Sequence, residues 1–160
     1  MAELSDLTLS TRLFFRTYRW RKARTAPPGA MTKPLSEASV VLISSAGFVA
    51  PGQEPFDDGM RGGDFSHRVL PADVDLRALR ESHRSDAFDH SGMRTDPNLA
   101  VPLETLRELA DEGTIGSVSA GAISLMGSIT SPGRLLSTTV PLVVDILRRQ
   151  KSDCALLVPV

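Results

Sequence analysis

The chain has 160 residues, 41% apolar and 23% charged, with a formal net charge of −1. That is the make-up of one ordinary globular domain with a real core, and it gives no reason to expect nucleic-acid binding. A single cysteine, Cys154, excludes an intrachain disulfide and fits a reducing, cytoplasmic setting; no apolar run approaches the roughly 18 residues of a membrane span, and the N-terminus lacks the apolar core of a secretory signal.

Charge is unevenly placed. Residues 1–33 hold seven Lys/Arg against two Asp/Glu, a balance of +5, and residues 34–160 hold eleven against seventeen, a balance of −6. Within the first part, STRLFFRTYRWRKAR interleaves arginines with Leu13, Phe14, Tyr18 and Trp20. This predicts a short basic amphipathic helix that lays its aromatics on the domain. A membrane-surface anchor or a dock for an acidic partner is the alternative. TAPPGAMTKP then reads as a linker. The predicted organisation is a helix and Pro/Gly linker over 1–33, followed by an α/β domain over 34–160.

SVVLISSAG (39–47) predicts a buried strand, because Val40, Val41, Leu42 and Ile43 form a continuous apolar run of the kind covered on both faces. The small residues Ser44, Ser45, Ala46 and Gly47 follow it, where open α/β sheets place their ligand crevice. FVAPGQEPFDDGMRGGD reads as a surface loop, FSHRVLP (65–71) as a second strand, and residues 73–82 as a short helix. PLETLRELADEG predicts a helix with Pro102 in the first turn and Gly113 at the C-terminal cap. TIGSVSAGAISLMG reads as a strand with a small-residue loop. TTVPLVVDILRRQK is a helix with a threonine cap and Arg148, Arg149 and Lys151 at its negative end, and DCALLVPV is a final strand. Strands alternating with helices give a single layered α/β domain whose mostly parallel sheet is flanked by helices.

Chemistry-bearing residues concentrate in one run, with His83, Asp86, Asp89 and His90 lying within eight positions. Such residues serve proton transfer, with a histidine oriented by a carboxylate, or metal ligation. A polar loop held by side-chain-to-backbone bonds is the structural alternative. Asp96-Pro97-Asn98 has turn chemistry. SAGF (45–48) and SAGAIS (119–124) read as two small-residue loops on one sheet edge, able to line an anion pocket. There is no GxGxxG, no GxxxxGK and no zinc motif, so neither a nucleotide cofactor nor a metal is assigned. Cys154, early in an apolar strand, reads as a structural residue.

The chain resembles the selenoprotein B family of glycine, sarcosine, betaine and D-proline reductases. The resemblance is carried by RTYRWRK, KPLSEASVVLISSAGF, QEPFD (53–57), RVLPADVD (68–75), SHRSDAFDHSG (82–92), DPN (96–98), PLETLRELADEGTIGSVS (102–119), SLMGSI (124–129) and the last strand. It implies a thiol- or selenol-dependent oxidoreductase with a disulfide as acceptor. It further implies a reactive selenocysteine or cysteine just after a final strand of the LLxPV kind. On this resemblance the chain is truncated at a selenocysteine codon, the redox residue is expected just after Val160, and no cofactor is held by the chain itself. His83, Asp86, Asp89 and His90 are then the candidate catalytic residues, and Ser45, Gly47, Asp96 and Asn98 the candidate substrate-binding ones. The implied partners are a small-molecule substrate, other reductase subunits and a thiol reductant such as thioredoxin. The chain departs from the family before SLMG, where a polar residue or His is expected and Gly121 and Ala122 stand instead. The alternatives are a non-catalytic small-ligand-binding or accessory domain, or a metal-dependent enzyme using the His/Asp run.

Overall fold

The structure, a computed structural model, describes residues 8–18, 29–83, 85 and 90–160. The chain divides into two compact units, 1–30 and 31–160. In the first, helix α1 spans Leu9–Thr17 and carries Arg12 and Arg16. The rest of the basic run, residues 19–24, lies outside the described residues, so the expected basic helix is not established over its full length.

The second unit is built on strand β1, Ser39–Ser44. Val40, Val41 and Leu42 are all buried, as a strand covered on both faces requires. One edge of β1 is taken along Val40–Ser44 by strand β7, Cys154–Val158, in parallel register from Val40↔Cys154 to Ser44↔Val158. The other edge is shared by two strands. Strand β5, Ser117–Val118, pairs with Ser39 and Val40, and strand β6, Gly121–Leu125, pairs with Ile43 and Ser44, both in parallel. Strand β3, His67–Pro71, runs antiparallel on the far side of β6. A two-stranded antiparallel ribbon joins β2, Phe48–Val49, to β4, Arg80–Glu81. The domain is therefore mixed α/β with a mostly parallel central sheet.

Helix α2 is short, Ser91–Thr95; α3 spans Leu103–Asp111 and α4 spans Val140–Arg149. Helix α3 buries Leu103 and Leu106 in the core that contains Val40, Leu42, Leu70, Leu76, Val101 and Ala122. Gly113, with φ of 75°, ends it as the sequence predicts. Cys154 is a free thiol at the start of β7, packed against the same core.

Four expectations are corrected. Residues 73–82 do not form a helix: a single 3-10 turn, Leu76–Ala78, capped by the Asp75 carboxylate, leads directly into β4. The surface loop expected from residue 48 begins with a buried strand, because Phe48 and Val49 pair with β4. SAGAIS is not a loop, since Gly121 through Leu125 are β6; its small residues suit close strand packing, and a Cβ at Gly121 would meet Val69 Cγ1 at 2.6 Å. The helix over 140–149 gains no threonine cap, because a π-helical turn, Leu135–Thr139, precedes it and the Thr139 hydroxyl donates instead to the Phe65 carbonyl.

Strand β7 is covered less than β1. Leu156 is 40% and Leu157 67% exposed, and Leu157 lines an apolar groove with Ile43, Leu125 and Val158.

Removing a buried contact in the shared core tests this account. Leu42→Ala, at a side chain buried beneath α3, is expected to cost about 2–5 kcal/mol, read as a drop in the denaturant midpoint at unchanged slope. An effect near zero would place Leu42 outside the core.

Candidate functional site at the carboxyl ends of β1 and β7

The parallel strands β1, β6 and β7 all point their carboxyl ends the same way, and their following residues converge. Ser45, just past β1, makes the first link. Its N–H donates to Val158 O at 3.1 Å. Its hydroxyl accepts from Val160 N at 2.9 Å and donates to Val160 O at 3.3 Å. One side chain thus holds both backbone groups of Val160. Gly127, just past β6, donates its N–H to Ser45 O at 2.8 Å.

The third arm is His83. Gly47 has φ of 71°, and its carbonyl accepts from Ser82 N at 2.9 Å, tying the chain after β4 to the chain after β1. A Cβ at Gly47 would stand 3.1 Å from His83 Cβ, so glycine serves here both for its backbone angle and for the close approach. The His83 Nδ1 accepts from Ser85 N at 3.1 Å, which assigns the proton of the neutral ring to Nε2. That Nε2 reaches the same small space as Val160. A Cβ at Gly127 would lie 2.9 Å from His83 Nε2 and 3.2 Å from both Ser45 O and Val160 O. Three chain segments distant in sequence meet where Gly127 has no side chain.

His90 lies beside His83, ring centroids 6.2 Å apart and planes at 61°. Its Nε2 donates to Ser85 O at 2.6 Å and its Nδ1 donates to the Glu81 carboxylate. An acceptor on each nitrogen favours the protonated ring. The Ser85 carbonyl, and then Glu81, raise the His90 pKa above its ordinary value. Burial works to raise the Glu81 carboxyl, but hydrogen bonds from Arg94 and His90 outweigh it and hold the group below the usual carboxylate range. Arg94 on α2 donates its Nε to Glu81 Oε2 at 2.8 Å.

A cavity of about 590 Å³ opens on this cluster, lined by Phe56, Arg80, Glu81, Ser82, His83 and Arg94 among others. Its outer wall, the QEPFD segment, is fixed from behind. Arg68 donates to Glu54 O and Pro55 O and stacks over the Phe56 ring, while the buried Asp64 carboxylate accepts from Asp57 N.

Of the sequence candidates, Ser45, Gly47, His83 and His90 come together here. Asp86 and Asp89 lie outside the described residues. Among the described residues no group of three His, Cys, Asp or Glu is arranged to hold a metal. Asp96 and Asn98 are engaged locally: Asp96 caps the turn at Pro97–Leu99, and Asn98 accepts from Glu104 N and donates to Thr105 at the start of α3. Sequence reasoning missed Glu81, Arg94 and Gly127. Gly127 stands in SLMGSI, and its position directly after an apolar strand was the available signal; Glu81 had none.

The family model for glycine/sarcosine/betaine reductase selenoprotein B matches residues 7–139. The chain belongs to this family. Among curated relatives, the D-proline reductase subunit gamma of Acetoanaerobium sticklandii is 30% identical over 156 residues, covering 96% of this chain and 61% of that protein. The sarcosine reductase complex component B subunit beta of Peptoclostridium acidaminophilum is 29% identical, covering 67% of this chain and 24% of that protein. The glycine reductase complex component B subunit gamma of Symbiobacterium thermophilum is 24% identical, covering 82% and 30%. The chain thus spans about three-fifths of the first relative and less than a third of the other two. No solved structure gives a significant match. The selenoprotein B segments RVLPADVD, SHRSDAFDHSG and SLMGSI each contribute to the site just described, through Arg68, His83 and Gly127 respectively.

Two outcomes follow from the geometry. Gly127→Ala is expected to displace the His83 ring and cost about 1–3 kcal/mol through overpacking, read as a shift of the His83 imidazole resonances together with a lowered Tm; unshifted His83 resonances would contradict the convergence. The His90–Glu81 pair also gives a signed pH dependence. The raised His90 pKa contributes stability that is complete below 6.5 and lost as pH rises through the folded value, and the lowered Glu81 pKa contributes stability present above 4.5 and lost as pH falls through its folded value. The urea midpoint is therefore expected to plateau between those two values, and Glu81→Gln to flatten both limbs.

Proposed function

We propose that the chain is the substrate- and redox-site portion of an amino-acid reductase of the glycine, sarcosine, betaine or D-proline type, and that the reactive selenocysteine or cysteine follows Val160. The observation that carries this reading is the meeting of Val160 O, Ser45 O and His83 Nε2 around Gly127. A residue attached to Val160 would start from a peptide group already fixed by the Ser45 hydroxyl, beside a histidine whose Nε2 carries the movable proton.

Reduction of the substrate takes up two electrons and two protons. A selenol–thiol or dithiol pair supplies both as it closes to a selenenylsulfide or disulfide, and a thiol reductant such as thioredoxin reopens it. His83 relays a proton between that pair and the substrate. Asp86, Asp89 and His90 share in proton transfer or substrate positioning, with the His90 ring held by Glu81 and Ser85. Ser45 positions the reactive residue, and Gly47 makes room for His83. The names of the relatives, components and subunits of reductase complexes, support other reductase subunits as partners; the single cysteine fits a cytoplasmic site of action.

Two measurements test the reading. The locus beyond codon 160 is expected to carry an in-frame UGA followed by a coding frame with a cysteine after two intervening residues; a different stop codon with no coding sequence after it overturns the proposal. In the enzyme with its redox pair in place, His83→Ala is expected to lower turnover by about 10²–10⁴-fold, the range of a lost general acid–base, with the pH–rate profile losing one limb.

A further inference from the structure

Arg94 is the residue of this cluster that neither the sequence nor the relay described above accounts for. Its side chain is 68% exposed, yet it is anchored at one end: Nε donates to Glu81 Oε2 at 2.8 Å, and Glu81 is itself only 10% exposed and pinned on its other oxygen by His90. No other hydrogen bond or ion pair involves the Arg94 side chain among the described residues. The two terminal nitrogens are left available on a guanidinium whose plane is already set. A guanidinium fixed in this way loses little rotamer freedom on binding and presents paired N–H groups that match a carboxylate.

The surroundings suit a small zwitterion. Arg94 lines the cavity of about 590 Å³ together with His83, so a ligand held by Arg94 shares its chamber with the ring that faces Val160. Phe56 supplies an apolar wall. The remaining cation on the lining, Arg80, belongs to the same short strand as Glu81 and adds to the positive field without a fixed geometry.

We propose that Arg94, held by Glu81, is the residue that recognises the carboxylate of the amino-acid substrate, and that Glu81 is the positioning residue that aims it. The inference rests on the site assignment under Proposed function but not on the redox residue, so it is tested by binding alone. Isothermal titration of the protein with glycine, sarcosine and D-proline, each against its carboxamide, is expected to show at least one acid bound at least about tenfold more tightly than its amide, the order expected for one charge-assisted pair. Arg94→Ala is expected to bring the acid down to the level of the amide while the protein stays folded, with Tm lowered by the loss of the Glu81 pairing. Arg94→Lys restores only part of the preference, because an ammonium is a point charge. Glu81→Gln weakens acid binding while leaving amide binding unchanged. Equal affinity for acid and amide in the unaltered protein, retention of the preference in Arg94→Ala, or no binding of any of the three acids each overturns the inference. If the codon-160 test fails while the acid preference holds and depends on Arg94, the carboxylate site stands and the redox reading alone is lost.

Discussion

The domain depends on one requirement: every backbone N–H and C=O of a strand buried on both faces must find a partner. Strand β1 meets it by taking β7 along one edge and dividing the other between β5 and β6. That division puts the carboxyl ends of β6 and β7 on opposite flanks of the residue that follows β1. Ser45 therefore has a neighbour on each side, Val160 from β7 and Gly127 from β6, and the site is a by-product of how β1 is saturated. The burial of Val40, Val41 and Leu42 and the placement of Ser45 are one fact seen from two sides.

The second organising element is the Glu81 carboxylate. It is a partly buried acid that binds two cations, His90 and Arg94, at once. A carboxylate removed from water is costly unless it is paired and hydrogen-bonded, and here each oxygen has its own donor. The pairing joins α2 to β4, two short elements with little apolar surface of their own: α2 buries only Met93, and neither β4 residue is fully buried. Charge takes over where packing is thin, and it leaves the Arg94 guanidinium on the rim of a chamber that also contains His83.

The central strand was legible because VVLI is a run that only a doubly covered strand accommodates, and α3 was legible because Pro102 and Gly113 mark its ends. The small residues of SAGAIS misled, since glycine and serine after a polar stretch read as a loop. In the fold they form β6, where Gly121 packs against Val69 and the Ser124 hydroxyl donates to Phe48 O. Only tertiary contact distinguishes the two readings. The His/Asp run was visible as composition, but its partner Glu81 was not: a lone glutamate at the end of a two-residue strand follows no spacing. Asp96 and Asn98 carry turn chemistry in sequence and have it in the fold.

The Ser45–Val160 clasp joins residues 115 positions apart. A contact of that separation is expensive in loop entropy and slow to form. Before β7 docks, β1 presents the unpaired edge of one of the most apolar stretches in the protein, a template on which other chains can add strands. The residues that finish the site are thus the same ones that close the most aggregation-prone edge, so a chain that has not completed its site is also a chain at risk of association. Maturation of the site and escape from that hazard are a single event.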